Sequence, residues 1–441
     1  MIQSMPAPPS RNARRISGEQ VLCVLVTFLV GLHLETFGDI RVGAVAAVAT
    51  LPIWIRVMPR YRGPVLVLVL AVLASLTGWI CSLVFSSSHD VLPSAMLSRT
   101  GLILGLALSA AMLVWARDQL GAKGMALSFA FGLVASIWVL PQSPADNPWR
   151  FVYSIPITVF VLALAWIVDR WWIEVACLLA LAVIGVQNDS RSNSAILFLA
   201  AVVIAWQAIS RSLFGRRRRA SVAIAGLALT GLACFLVAQA AIVEGVFGEV
   251  TQQRTIEQIE RGGNVLLGGR PEIAASIALV TRYPFGLGSG TRATLEDVLA
   301  AKTSMEAIGY NPDNNYVNRF MFGSGVEVHS VIGDAWVWMG VVGAALIVAI
   351  TIVILRGFTA GVRTSSLAGL FVYLAVRFVW DLAFSPLPSA SVLMALTIAI
   401  AVLPRLGVTG PDSLVTSGSA EVGQHERSRP RVDQVRTRRA P

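Results

Sequence analysis

The sequence predicts an all-α polytopic membrane protein with about twelve transmembrane helices and one long extracytoplasmic loop that contains short helices. Of the 441 residues, 55% are hydrophobic and only 14% are charged, whereas a soluble domain carries about a quarter charged residues. The apolar residues form repeated runs of about 20, the length that crosses a bilayer as a helix. The basic residues gather in short segments between alternate runs, which is typical of cytoplasmic loops.

The predicted spans follow from a hydropathy window of about 19 residues and from the flanking charges. No small-residue cleavage site follows the first run, so we expect it to be a retained span rather than a signal peptide. The spans lie near 20–38, 41–58, 64–86, 100–116, 122–140, 151–168, 171–187, 193–213, 220–243, 331–355, 364–385 and 388–404. The first two are also compatible with a re-entrant pair.

The distribution of Lys and Arg predicts the orientation. Basic clusters follow the even-numbered spans, among them Arg60, Arg117, Arg170, Arg216–Arg219 and Arg363. These exits all lie on the same side as the N-terminus, so the clusters are cytoplasmic if both termini are cytoplasmic. The predicted organisation is therefore a cytoplasmic segment 1–19, spans 20–243, an extracytoplasmic loop 244–330, spans 331–404 and a disordered cytoplasmic tail 405–441.

Composition also argues against several function classes. The net charge of +10 comes mostly from the N-terminal segment, short loops and the tail, so nucleic-acid binding is not expected. The cysteines fall in apolar runs, and no disulfide framework or cysteine metal site is predicted. Because no Asp-X-Asp or His/Cys cluster occurs, we expect no metal and no cofactor.

The long loop has recognisable local signals. A helix is expected near 250–261, and a second opens with Pro271 at its first-turn position and runs to about Arg282. The Gly-rich stretch Tyr283–Thr291 lacks the Lys-Ser/Thr ending of a nucleotide-binding loop, so it is interpreted as a structural turn. A short amphipathic segment near 292–308 is suited to the membrane surface.

Three side chains near the predicted outer face are candidates for chemistry. Arg191 lies at the junction of spans seven and eight, Arg270 heads the second loop helix, and His329 precedes span ten. An interfacial Arg commonly snorkels and a lone His is commonly structural. Together, however, guanidinium groups that bind phosphate in a bidentate way and an imidazole that accepts a proton near neutral pH favour a site for a phosphorylated substrate.

Three passages resemble the O-antigen ligase and O-antigen polymerase family of bacterial membrane glycosyltransferases. DSRSNSAILFLAAVVIAW (189–206) is similar to the family's Ser-Arg motif that opens a span. GGRPEIAASIALVTRYPFGLGSGT (268–291) is similar to its Arg-headed loop helix and Gly-X-Gly turn, and HSVIGDAWVWMGVVG (329–343) to its motif at the end of the loop. The span number and the loop position also agree, which implies a GT-C-like arrangement of helices.

The resemblance implies an inverting, metal-independent transferase of the bacterial inner membrane with an extracytoplasmic active site. Its donor would be a glycan on polyprenyl diphosphate, and its acceptor a glycan, lipid or protein. Arg191 and Arg270 would bind the diphosphate, with Arg282 and Arg319 as further substrate-binding candidates, and His329 would be the general base.

Several alternatives remain open at the level of sequence. A polymerase and a ligase are not separated, and a flippase or transporter of lipid-linked oligosaccharides, or a non-catalytic partner in glycan assembly, is a competing interpretation. Arg377 and Asp381 are four residues apart on span eleven, which favours a structural ion pair. If His329 is not the base, the nearest carboxylates in sequence are Glu327 and Asp334.

Overall fold

A computed structural model describes residues 17–36, 40–139, 147–214, 271–323 and 325–405, and these residues are mostly helical. The predicted ninth span, the loop helix near 250–261, Arg270 and the tail from residue 406 lie outside them. The helices are α1 Gly18–Leu32, α2 Val42–Ala49, α3 Leu51–Trp54, α4 Pro64–Phe85, α5 Pro93–Val139, α6 Ser154–Val168, α7 Trp171–Gln187, α8 Arg191–Phe214, α9 Pro271–Arg282, α10 Leu295–Ala307, α11 Val331–Thr364, α12 Gly369–Phe384 and α13 Leu387–Ala401.

Shorter elements complete the described part. A 3-10 turn covers Met58–Arg60, and π-helical turns cover Trp149–Tyr153 and Tyr316–Met321. The two-residue strands β1 (Tyr61–Arg62) and β2 (Leu403–Pro404) pair antiparallel, with Tyr61 opposite Pro404.

Five of the described helices are long and apolar enough to cross a membrane, or six if the bent pair α2–α3 counts as one span. Three shorter apolar helices, α1, α7 and α13, accompany them. This agrees with an all-α membrane protein. The predicted number of twelve spans is not confirmed.

Breaks and bends within the helices can be compared with the predicted span boundaries. Predicted spans four and five correspond to the two helical parts of α5, which are separated at Gly121, where φ is 71°. Predicted span two is bent by 63° at the α2–α3 junction, where Pro52 has no N–H to donate to the preceding turn. Helix α11 runs on to Thr364, so Arg356 and Arg363 lie in its last turns rather than in a loop.

The two ends of the helix bundle are held by different contacts. At one end, Arg60 pairs with Asp118 at 3.2 Å and Lys123 with Asp169 at 3.0 Å. Arg117 at this end donates to the carbonyls of residues 399, 400 and 402, each at 2.9 Å. Arg60, Arg117 and Lys123 belong to the predicted basic clusters, and the structure places all three at the same end of the bundle.

The opposite end carries residues 283–330, and we call it the loop end. Here the Asn147 side chain donates to the carbonyl of Asn188 at 2.6 Å, which ties α7 to the segment before α6. The Ser330 hydroxyl donates to the carbonyl of Leu382 at 2.8 Å. These contacts bring one end each of α6, α7, α11 and α12 to one face.

The Gly-rich turn Tyr283–Thr291 packs between α4 and α11, as a structural turn. The N–H of Leu287 donates to the carbonyl of Val337 at 2.8 Å, and the N–H of Ser289 to that of Gly78 at 3.0 Å. Helix α11 is broken at Gly340, whose φ is 65° and whose Cα faces the Phe285 carbonyl with no room for a Cβ. The turn thus fixes the loop to the bundle next to residues 326–330.

Candidate functional site

His329 lies in a backbone segment that is bonded from several sides. The carbonyl of Val326 accepts from the Trp338 indole at 2.6 Å, and the N–H of Val328 donates to the Asp334 carboxylate at 2.7 Å. His329 itself has a left-handed φ of 56°, a conformation that costs a non-glycine residue free energy. The surrounding contacts therefore hold the imidazole in one place.

A three-residue hydrogen-bond relay runs from His329 to Glu272. The imidazole Nδ1 is 2.8 Å from the Tyr316 hydroxyl, which donates to Oε1 of Glu272 at 2.9 Å. The rings of His329 and Tyr316 meet edge to face, with centroids 5.0 Å apart. The relay joins the start of α9, the π-helical turn and the end of the loop.

The relay favours one tautomer of His329. A phenol has one proton, and the Tyr316 hydroxyl donates it in the hydrogen bond to Glu272. The tautomer protonated at Nδ1 then completes the relay, because its N–H can donate to the Tyr316 oxygen and its lone pair is on Nε2. No described residue hydrogen-bonds to this Nε2. Burial also lowers the pKa of His329, which favours the neutral form of the ring.

Arg191 begins α8 at the loop end. Its Nε is 3.1 Å from Asp189, and both side chains remain accessible, at 36% for Arg191 and 50% for Asp189. An arginine held by one neighbouring carboxylate keeps further N–H donors for an incoming anion. Arg191 is therefore available for the phosphate-binding role that the sequence predicts.

A buried polar network connects the α8 end to α12. Asn193 accepts from the Tyr373 hydroxyl at 2.9 Å and from Arg377 at 3.3 Å. Arg377 also pairs with Asp381 at 3.5 Å, and the Ser385 hydroxyl donates to the same carboxylate. The predicted ion pair between Arg377 and Asp381 is confirmed.

Arg282 belongs to a second cluster at the loop end. It pairs with Glu296 at 2.7 Å and Asp297 at 3.0 Å. Asp297 also accepts from Tyr283 at 2.7 Å and contacts His89 at 3.1 Å. Burial raises the pKa of Asp297, but these hydrogen bonds outweigh it and the net pKa is lowered. This cluster fastens α10 to the end of α4.

Arg319 is exposed on the π-helical turn, with its guanidinium carbon 5.9 Å from the centroid of the Phe320 ring. Among the described residues, neither Arg282 nor Arg319 contacts a member of the relay. Arg270 lies outside the described residues, directly before Pro271. Its predicted diphosphate-binding role stays a prediction.

The two alternative proton acceptors are in different situations. Asp334 is completely buried, and its two carboxylate oxygens accept the N–H groups of Val328 and Leu387 at 2.7 and 2.9 Å. It therefore fastens the segment that carries His329 instead of reaching a substrate. Glu327 is only partly buried, and burial raises the pKa of its carboxyl against the opposing charge of Arg99.

Sequence reasoning did not single out Tyr316, Glu272 or Arg99. Arg99 is buried on α5, donates to the Ser289 carbonyl at 2.8 Å and stacks over the Trp338 ring at 4.6 Å. The sequence signal for Arg99 was a charged residue at the edge of the apolar run that forms predicted span four. Glu272 directly follows the Arg-Pro pair of the loop motif, but its partner Tyr316 is 44 residues away.

Among the described ranges, no group of three or more His, Cys, Asp or Glu side chains is placed to hold a metal ion. Comparison of the chain with protein-family models, curated proteins and solved structures finds no match.

Proposed function

We propose that this chain is a membrane glycosyltransferase that transfers or polymerises a glycan from a polyprenyl-diphosphate-linked donor on the extracytoplasmic face. The observation that carries the proposal is the Glu272–Tyr316–His329 relay, in which Nδ1 faces Tyr316 and Nε2 has no hydrogen-bond partner among the described residues. The resemblance to the O-antigen ligase and polymerase family supports the same assignment through Arg191, Arg270 and His329.

The proposed reaction is a single displacement. Nε2 of His329 takes the proton of an acceptor hydroxyl while the hydroxyl oxygen forms a bond to the anomeric carbon of the donor. The bond from that carbon to the diphosphate oxygen breaks, and the polyprenyl diphosphate leaves with the bonding electrons. Arg191 and Arg270 would neutralise the negative charge that grows on the leaving group. Such a displacement inverts the anomeric configuration.

The relay supports this chemistry by stabilising the imidazolium that forms. As His329 gains a proton, its Nδ1–H becomes a stronger donor to Tyr316, whose own hydroxyl points to the Glu272 carboxylate. A correctly placed base contributes about 10²- to 10⁴-fold to the rate.

The proposed location is the bacterial inner membrane, with the loop end outside and both termini inside. A reporter fused after Ser304, in α10, is expected to report an extracytoplasmic position. A cytoplasmic signal would contradict the proposed orientation. Deletion of the gene would then separate a polymerase, which leaves single lipid-linked repeat units, from a ligase, which leaves lipid-linked polymer.

The decisive test is turnover of purified protein in nanodiscs with a polyprenyl-diphosphate-linked glycan and acceptor. His329→Ala is expected to lower kcat by about 10²- to 10⁴-fold, or about 3–5 kcal/mol of barrier. Donor binding should be nearly unchanged. His33→Ala is the matched control, since His33 also has a left-handed φ, of 40°, after α1. A His329→Ala rate above about a tenth of wild type would remove the base assignment.

A further inference from the structure

Residues 326–330 present two side chains to an accessible side. Val326, Val328 and Ser330 are buried, at 1%, 0% and 3% exposure, whereas Glu327 and His329 between them are partly accessible. Residues 326–328 therefore have one packed and one accessible side, and the chain bends at His329, whose φ is left-handed.

Hydrogen bonds to neighbouring elements also fix the backbone of residues 326–330. The N–H of Glu327 donates to the Met321 carbonyl at 2.9 Å. The carbonyl of the preceding residue, Val326, accepts from the Trp338 indole N–H. The Val328 N–H is bound by Asp334, and the Ser330 hydroxyl by Leu382. Glu327 is therefore presented from a fixed backbone two residues from the proposed base.

The Glu327 carboxylate makes no hydrogen bond or ion pair with any residue that the structure describes. Arg99 influences it through charge, but the guanidinium of Arg99 is directed to the carbonyls of Ser289 and Val326. The Glu327 oxygens are not buried without a partner, so they remain accessible. The open side of Glu327 thus has hydrogen-bond acceptors to offer to a ligand.

We infer that Glu327 binds hydroxyl groups of the acceptor sugar and thereby selects an uncharged acceptor. The inference rests on the proposed function and names the acceptor class for the same site. An ionised carboxylate is an acceptor only, and it can take two hydroxyl donors through its two oxygens. When Glu327 is ionised, its charge also repels phosphate and carboxylate groups, so this residue suits a neutral sugar better than the anionic donor diphosphate.

A binding experiment tests the inference without the donor. The full chain in nanodiscs is examined by saturation-transfer NMR with methyl glycosides of glucose, galactose, mannose and rhamnose, and with the matched glucuronide and galacturonide. We expect wild type to bind at least one neutral glycoside more tightly than its uronide. Glu327→Gln should weaken that neutral glycoside by about tenfold, since hydrogen bonds to a charged group are stronger than neutral ones.

Glu327→Gln should also bring the neutral glycoside and its uronide to within about twofold of each other, because it removes the repelling charge. Glu306→Gln is the matched control, because it makes the same change at an exposed position of α10. Unchanged binding in Glu327→Gln, no preference over the uronide, or no binding of any neutral glycoside would overturn the inference.

Transfer from a polyprenyl-diphosphate-linked glycan, measured in parallel, distinguishes a failure of the inference about Glu327 from a failure of the proposed function. If wild type transfers the glycan and Glu327→Gln keeps the wild-type KM for the acceptor, the proposed function stands and the inference is wrong. If wild type transfers nothing from any lipid-linked donor, the proposed function itself is wrong.

Discussion

Tyr316→Phe is the sharpest perturbation of the relay, because it removes one oxygen atom and leaves the ring. That oxygen joins the His329 Nδ1 at 2.8 Å to the Glu272 carboxylate at 2.9 Å. A hydrogen bond that involves a charged group contributes about 1.5–3 kcal/mol. If this stabilisation acts on the imidazolium in the transition state, kcat falls by about 10- to 150-fold, at about 1.36 kcal/mol for each factor of ten.

The assay is steady-state transfer from a polyprenyl-diphosphate-linked glycan with the protein in nanodiscs. The KM for the donor should stay within about twofold of wild type, since a residue that acts only in the transition state lowers kcat. Tyr310→Phe is the control, because the Tyr310 hydroxyl accepts from Asn314 at 3.1 Å in the same loop. A wild-type kcat in Tyr316→Phe would refute the reasoning that the relay supports the base.

Three further outcomes are expected. The acid limb of the pH–rate profile should lie below the ordinary histidine pKa of about 6.5, because burial lowers the pKa of His329. The rate falls only when Nε2 is protonated, so an acid limb above this pH would contradict the assignment of His329 as the base. In the transfer assay, Arg191→Lys should lose most of the wild-type activity. Arg282→Lys should keep a rate within about threefold of wild type, because Arg282 is paired with carboxylates of its own cluster. Gly340→Ala should lower the melting temperature sharply, because a Cβ would meet the Phe285 carbonyl at positive φ, while Gly18→Ala, with nothing within 4 Å, should not.

Local signals predicted the parts of this protein that local physics determines. Pro271 at a first-turn position predicted a helix to Arg282, and the structure has that helix. The four-residue spacing of Arg377 and Asp381 predicted their ion pair, which is present at 3.5 Å. The glycines of Tyr283–Thr291 predicted a turn, and two of them have positive φ.

Other features depend on contacts that no local pattern encodes. Tyr316 lies in a short π-helical turn and meets a carboxylate 44 residues earlier, so its spacing from Glu272 carried no signal. The buried Arg99 reaches a carbonyl 190 residues later. The predicted junction between spans four and five coincides with the helix break at Gly121. The break at Gly340 lies inside predicted span ten, where the hydropathy is uninterrupted, so the sequence pattern provided no signal for it.

The docked turn has a consequence for the order in which the chain assembles. The Gly290 N–H bonds to the Ser82 hydroxyl, and the Cys81 thiol to the Phe285 carbonyl, across separations of 208 and 204 residues. During synthesis α4 enters the bilayer long before its partner turn leaves the ribosome, and contacts of such long range close slowly. The side of α4 that the turn covers therefore has no such partner until residues 285–290 have been made, and its packing is completed late in synthesis.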